Sequence, residues 1–281
     1  MSFNINVLIS TEEQLEAIYT KSDLLKNNNA RIYLESSVFY SKSKNIISML
    51  SGLELYLCGP YVLREEDKNK LQDIILSKCF KGILIRNIET LGFLECLKNA
   101  SCVEDFDLKI VIDSSMYVLN HDALMMLKTC SSFEIGEIYS SFELNEKEQR
   151  QLYEEINRLD NKVLYSNVIY GRIPMMISAN CVKKTLGGCN HQREFIYIDD
   201  RMKKKLPVIT DCSYCYNIIY NTVPLALNKS MRRFLEIGNV RIDFTNESLE
   251  ETEKILDYYF GIEKVFPVAE YTTGHLRRGV E

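Results

Sequence analysis

The chain has 281 residues and a mass of 32.7 kDa, is 46% hydrophobic and 26% charged, and carries a formal net charge of −5. Twelve glycines and five prolines exclude a collagen-like or low-complexity chain, and this hydrophobic content excludes a mostly disordered one. No global basic field draws in nucleic acid, so such binding requires a local patch.

The opening MSFNINVLISTEEQ has no basic n-region and no long apolar stretch, so no secretory signal is read there. No run approaches the roughly 18 apolar residues that suggest a membrane span, and the expected location is the cytoplasm. Nine cysteines in a cytosolic chain are expected as reduced thiols or metal ligands, not as a disulfide framework.

The first 170 residues alternate short β-like runs with helical patterns. The expected strands are Asn6–Ile9, Arg31–Glu35, Glu54–Cys58, Gly82–Ile85, Lys109–Ile112, Glu134–Tyr139 and Lys162–Tyr170, rich in Ile, Val, Leu and Tyr as buried parallel strands are. Thr11 with Gln14 reads as a capping box ahead of Leu15, Ile18 and Leu24. Further helices are expected over Arg64–Leu76 and Ile88–Leu97, and a weaker one over Val38–Leu50. Asn120 caps His121–Leu127, and Asn145 caps Glu146–Leu159.

From Pro174 to Leu227 the alternation breaks. Four cysteines, a basic run at Arg201–Lys205 and short β-like pieces at Glu194–Ile198 and Pro207–Ile209 suit a small irregular subdomain held by a metal. Val240–Phe244 then resumes the rhythm as a strand, Ser248 and Glu251 make a capping box for Leu249–Phe260, and Gly261 stops that helix. Eight strands joined by crossovers predict a TIM-barrel-like (β/α)8 barrel, complete or partly opened, over 1–173 and 228–281, with a cysteine-rich module over 174–227. An open doubly wound sheet is the alternative, but no Gly-rich phosphate loop follows the first strand.

Cys181, Cys189, Cys212 and Cys215 have the spacing C-x7-C-x22-C-x2-C. The close pair Cys212 and Cys215 can share a metal, and Gly187–Gly188 lets the chain curl so that Cys189 returns towards Cys181. Four thiolates suit either a structural zinc or a [4Fe–4S] cluster, and spacing leaves both open. The plain alternative is four incidental thiols; the other five cysteines lie in periodic segments and read as core.

Several segments resemble the C-terminal part of the long bacterial collagenase-like peptidases, peptidase family U-thirty-two. They are VLISTEEQLEAIY, GILIRNIETLGFL, IDSSMYVLNHDAL, SSFELNEKE, YGRIPMMISANC with GGC, DCSYCYNIIYN, VRIDFT and YTTGHLRRGVE. The resemblance implies a barrel-like α/β fold and a four-cysteine [4Fe–4S] site. It also implies peptidase activity, as the family name says, or oxygen-independent hydroxylation of RNA bases or quinone precursors. Longer relatives have more chain before the segment matching residue 1, so a substrate-binding portion is absent here or supplied by a partner subunit. Cys212 matches the usual terminal ligand, while Cys215 belongs to a close-pair variant. The resemblance favours the iron–sulfur cluster over zinc.

A barrel delivers its active-site residues from the C-terminal ends of its strands. Those ends carry Arg86 and Asn87, then Asp113 to Ser115, then Ser140 to Glu143, then Tyr170 and Arg172. Arg86 suits anion or carboxylate recognition, Arg172 is expected beside the metal, and His275 is expected to reach the site from the GHLRRGVE end. Ordinary roles compete: Asp113 as a turn cap, Glu143 and Arg86 as ion-pair partners. His121 reads as structural. No H-E-x-x-H or G-x-S-x-G motif occurs, so a protease mechanism has no recognisable machinery.

Three functions follow. The first is an iron–sulfur enzyme or subunit acting on RNA or a small aromatic precursor, with an electron donor. The second is a peptidase. The third is a zinc-stabilised, non-catalytic module whose basic runs Arg201–Lys205 and Arg277–Arg278 meet an RNA backbone.

Overall fold

The computed structural model describes residues 3–39, 48–100, 108–160, 162–185 and 187–276. Most of the helix expected over 38–50 and the basic pair at 277–278 lie outside the described residues.

Eight parallel strands close on themselves. They are β1 (Ile5–Ile9), β2 (Arg31–Glu35), β3 (Glu54–Cys58), β4 (Gly82–Ile85), β5 (Lys109–Ile112), β6 (Ile135–Tyr139), β7 (Leu164–Gly171) and, late in the chain, β13 (Val240–Asp243). Each pairs with its neighbour in chain order; β6 pairs with β7, β7 with β13, and β13 with β1, opposing Ile5 to Val240. The barrel expected from the strand rhythm is therefore complete.

Alternation along each strand sorts side chains into two cores. Ile32, Leu34, Leu57, Ile83, Ile110 and Ile242 face the helices, while Leu8, Tyr33, Tyr56, Leu84, Val111 and Val168 fill the barrel. The same parity takes Arg31, Glu137 and Ser166 to one end of the interior. There Arg31 meets Glu137 at 2.5 Å and the Ser166 hydroxyl donates to Glu137 at 2.6 Å. At the other, C-terminal end it takes Glu35, Cys58, Arg86, Asp113 and Asp243.

The helices follow their caps. Capping boxes are present at Thr11 for α1 (Glu12–Thr20), Asn145 for α6 (Glu146–Leu159) and Ser248 for α9 (Leu249–Tyr259). The short α2 is Ser22–Asn27, followed along the chain by α3 (Lys68–Leu76), α4 (Ile88–Asn99) and α5 (His121–Thr129). No helix among the described residues is long and apolar enough to cross a membrane.

The cysteine-rich stretch is not irregular. It forms a second, antiparallel sheet from β8 (Pro174–Ser178), β9 (Glu194–Asp199), β10 (Lys205–Asp211) and β11 (Tyr216–Tyr220), in the order β8-β11-β10-β9, with the short α7 (Val182–Thr185) between the first two. Ile209, Tyr214, Tyr216, Ile218 and Tyr220 are buried and join the helix-side barrel core. This corrects the expectation of an irregular stretch with little apolar core: backbone ladders and this buried face order it. The chain returns through β12 (Leu225–Ala226), antiparallel to the end of β7, and α8 (Met231–Leu235), before β13.

Candidate functional site

Five charged side chains interlock at the C-terminal mouth of the barrel. The Arg86 Nη1 donates to both oxygens of Glu35, at 2.9 and 2.8 Å, and its Nε donates to Asp113 Oδ2 at 3.1 Å. Arg241 Nη2 donates to Asp113 Oδ1 at 2.9 Å, and its Nε and Nη2 hold the two oxygens of Asp243 at 2.6 and 2.8 Å. Asp113 thus bridges two guanidiniums, and the Ser114 backbone N–H adds a third kind of donor at 2.9 Å.

Aromatic faces complete the lining. The Arg86 guanidinium lies 4.4 Å from the Tyr61 ring centroid, and that of Arg241 lies 4.1 Å from Tyr139. Burial pushes the Asp113 carboxyl up, yet Arg241, Arg86 and the Ser114 N–H outweigh it and hold Asp113 below its ordinary value. At Glu35 and Asp243 burial wins over the arginines, and both carboxyls are raised. Carboxyls driven apart in one mouth suit proton transfer.

A cavity of about 210 Å³ opens beside this cluster, under β8. Its apolar walls include Tyr61, Phe142, Met175 and Met176, and its polar groups include Arg86, Ser114, Ser141 and Glu143. A deeper space of about 20 Å³, enough for one water, adjoins it through Tyr61, Arg86, Ser114, Phe142 and Pro174. Glu35, Asp113, Arg241 and Asp243 line that inner space.

Tyr117 stands at the rim, 58% exposed, with φ 51° in the left-handed region. A bulky residue is strained there. Tyr117→Gly is expected to leave stability unchanged or raise it by up to about 1 kcal/mol, while weakening any ring-bearing ligand of the cavity. Paired denaturation and binding curves check this, and a variant that loses stability without losing affinity contradicts it.

The residues expected at the strand ends meet different fates. Arg86, Asp113, Glu143 and Arg172 all reach this face, but they divide between the two adjoining spaces: Glu143 lines the outer one, Asp113 and Arg172 the inner one, and Arg86 both. Arg172 is engaged by neutral oxygen acceptors. It donates to Asn246 Oδ1 at 2.9 Å and to the carbonyls of Asn221 and Thr222. Asn87 caps α4, accepting from the Thr90 N–H at 2.7 Å and donating to the Pro60 carbonyl at 2.6 Å. Tyr170 points out of the mouth and donates to Glu247 at 2.9 Å, amid Phe244, Tyr259 and Phe266. His275 is exposed and borders a separate small cavity near Ser140 and Gln149.

Glu35, Arg241, Asp243 and Tyr61 were not singled out by sequence. A signal existed for three of them: in RIYLE and VRID, charges fall at alternate positions of otherwise apolar strands, the parity that faces a barrel interior.

Of the four cysteines predicted as one centre, Cys181 and Cys189 lie within the electrostatic reach of Cys212. Among the described residues, no three His, Cys, Asp or Glu side chains are grouped closely enough to hold a metal ion. Cys181 is buried, Cys189 and Cys215 are exposed, and the Cys212 thiol donates to the Gln192 carbonyl at 3.0 Å. Burial raises the Cys212 thiol, the Lys183 ammonium opposes that rise, and Cys189 and Cys181 add to it. Cys215 ends the Cys212–Cys215 turn at φ 52°, its carbonyl held by Arg64 Nη2 at 3.2 Å. The donor chemistry fits a zinc or iron–sulfur group, and among the described residues the four sulfurs are not drawn together into one site.

No protein-family model matches the chain, and no curated protein matches it. Solved structures that share its path are distant. A triosephosphate isomerase of Bartonella henselae is 11% identical over 92% of this chain and 99% of its own, with a TM-score of 0.44. A type I 3-dehydroquinate dehydratase of Clostridium difficile is 13% identical over 59% of this chain and 74% of its own, with a TM-score of 0.42. A provisionally assigned fructose-1,6-biphosphate aldolase of Coccidioides immitis is 14% identical, with a TM-score of 0.42; the match covers 59% of this chain and 64% of that one, under two thirds. Likeness at this level carries no argument about activity, and the barrel rests on its own strand pairing.

Proposed function

We propose that this chain is a barrel enzyme acting on a small aromatic substrate, either a free ring compound or an RNA base, bound at the C-terminal mouth. The supporting observation is the cavity of about 210 Å³, walled by Tyr61 and Phe142 and floored by the paired Arg86. A single ring fits between such walls, with Ser114, Ser141 and Arg86 as hydrogen-bond partners for its polar edge. The reaction class implied by the sequence resemblance is oxygen-independent hydroxylation with an iron–sulfur cluster on Cys181, Cys189, Cys212 and Cys215, fed by an electron donor.

The chain has 17 tyrosines and no tryptophan, so tyrosine fluorescence reports on ligands at Tyr61. Saturable quenching by nucleosides or by hydroxylated benzoates is the expected result. Failure of both classes to bind removes the reading.

The cofactor is tested separately. Anaerobically purified protein is expected to be brown, and Ser in place of any one of Cys181, Cys189, Cys212 or Cys215 should lower its iron content, while Cys58→Ser and Cys96→Ser leave it intact. Metal-free wild-type protein ends the iron–sulfur part, and gelatin cleavage surviving removal of contaminating proteases favours the peptidase reading.

A second reading draws on the β9–β10 hairpin. Arg201, Lys203, Lys204 and Lys205 are exposed at its tip, where Asp200 Oδ1 accepts from the N–H groups of Met202 and Lys204 at 2.7 and 2.8 Å. A rigid cationic tip suits an RNA backbone in a non-catalytic, zinc-stabilised module. Colourless protein with stoichiometric zinc and salt-dependent RNA binding favours it.

A further inference from the structure

The mouth holds three carboxylates, Glu35, Asp113 and Asp243, against two guanidiniums, Arg86 and Arg241; all are buried except Asp243, whose side chain is 18% exposed. Fully ionised, this cluster carries one uncompensated negative charge in a low-dielectric interior, which is costly. One proton removes the excess, and hydrogen bonding indicates where it sits. Asp113 accepts from two guanidiniums and a backbone N–H, and Asp243 is held by two nitrogens of Arg241. Among the described residues, Glu35 receives one nitrogen, Nη1 of Arg86, shared between its oxygens. It is the carboxylate with the weakest claim to a charge.

The remaining groups around Glu35 do not alter this balance. Arg193, just before β9, and Asp211 of β10 face each other at 3.9 Å; Arg193 favours the charged form of Glu35 more than Asp211 opposes it, and burial outweighs both. Cys58 of β3, Tyr61 of the loop after it, Tyr214 of the cysteine turn, and Tyr216 and Tyr220 of β11 also lie in its field. Burial raises each of these groups, which keeps them neutral. Arg172 keeps its charge on neutral partners, Asn246 and two carbonyls, at the partly exposed rim of the inner space, where solvent screens it from Glu35.

We propose that Glu35 is held as a neutral carboxylic acid in the barrel mouth and donates its proton to the substrate bound there. The substrate class is then narrowed to rings bearing an acceptor, such as a ring carbonyl or imine nitrogen, that gains negative charge during reaction. Glu35 lines the inner space and not the outer cavity, so the acceptor edge of the ring must reach that inner space; there the Glu35 O–H bond breaks, the proton passes to the acceptor, and the carboxylate left behind is stabilised by Arg86, with solvent returning the proton after release. Asp113, ionised between the arginines, is the fixed counter-charge and takes no part in the transfer.

The inference rests on the mouth being an active site, but its test needs no substrate. Infrared spectra of the intact chain at pH 7 should show the carbonyl stretch of a protonated carboxyl, lost in Glu35→Gln and lost reversibly in the wild type at high pH. Stability supplies an independent arm. A carboxyl raised on folding contributes its full share below the unfolded carboxylate range and loses it as pH rises towards the folded value. Glu35→Gln should therefore gain stability relative to the wild type as pH rises through that window.

An ionised Glu35 gives the opposite: no band, and a Gln variant that is less stable throughout, because Arg86 loses its counter-charge. A band that survives Glu35→Gln but disappears in Asp243→Asn places the proton elsewhere and overturns the inference. A Glu35 band in a protein that binds no ring compound leaves the protonation standing and removes the enzyme reading; ring binding without the band does the reverse.

Discussion

Arg86→Ala is expected to lower folding stability by about 3–5 kcal/mol, the loss typical of breaking a buried ion pair by removing one partner. Arg86 lies between β4 and α4 with its side chain 3% exposed, and among the described residues it alone joins Glu35 to Asp113. Without it, Glu35 loses its guanidinium and Asp113 keeps only Arg241 and the Ser114 N–H. The Tyr61 ring, stacked at 4.4 Å, loses its cationic face, and the cavity it walls widens. Arg86→Lys keeps a charge but cannot fork between Glu35 and Asp113, so it should recover only part of the loss. Urea denaturation at constant pH measures both variants. A change under about 1 kcal/mol for Arg86→Ala, the scale of surface pairs, would mean that the mouth cluster is solvated and not closed.

Gly238→Ala should destabilise by about 3 kcal/mol, at the upper end for overpacking, because it strikes where the barrel closes. Gly238 sits between α8 and β13, and a β-carbon there would collide with the backbone carbonyl of Tyr165 on β7. The obstacle is backbone in a parallel ladder, where Asn167 already opposes Val240, so it cannot swing aside as a flexible side chain would. Gly92 provides the contrast. It lies on the exposed side of α4 with nothing within 4 Å of an added β-carbon, so Gly92→Ala should stabilise by about 1 kcal/mol through helix propensity. Thermal unfolding of the two variants reads the difference. If they behave alike, β13 does not close against β7 as described.

The elements were legible because each depends on local chemistry. Apolar runs such as GILI and KIVI become strands, and Thr11–Gln14, Asn145–Glu148 and Ser248–Glu251 start helices because a side chain and a backbone N–H three residues away satisfy one another. Counting eight such strands was enough for the barrel, and strand-end position was enough to bring Arg86, Asp113 and Glu143 to its mouth.

The tertiary structure alone decided the partners. Glu35, Arg86, Asp113, Arg241 and Asp243 come from four strands, and only closure of β13 onto β1 and β7 brings Arg241 to Asp113. Asn87 and Tyr170 shared the same strand-end logic, but a neighbouring N–H and Glu247 offered each a closer partner. The antiparallel sheet was hidden for a related reason. Its ladders pair strands through register, and burial of Tyr214, Tyr216 and Tyr220 against the barrel gives the cysteine-rich stretch an order that composition does not record. Spacing put four thiols within reach of one another, but their positions follow from the hydrogen bonds at their turns: the Cys212 thiol donates to the Gln192 carbonyl, and the Arg64 side chain donates to the Cys215 carbonyl.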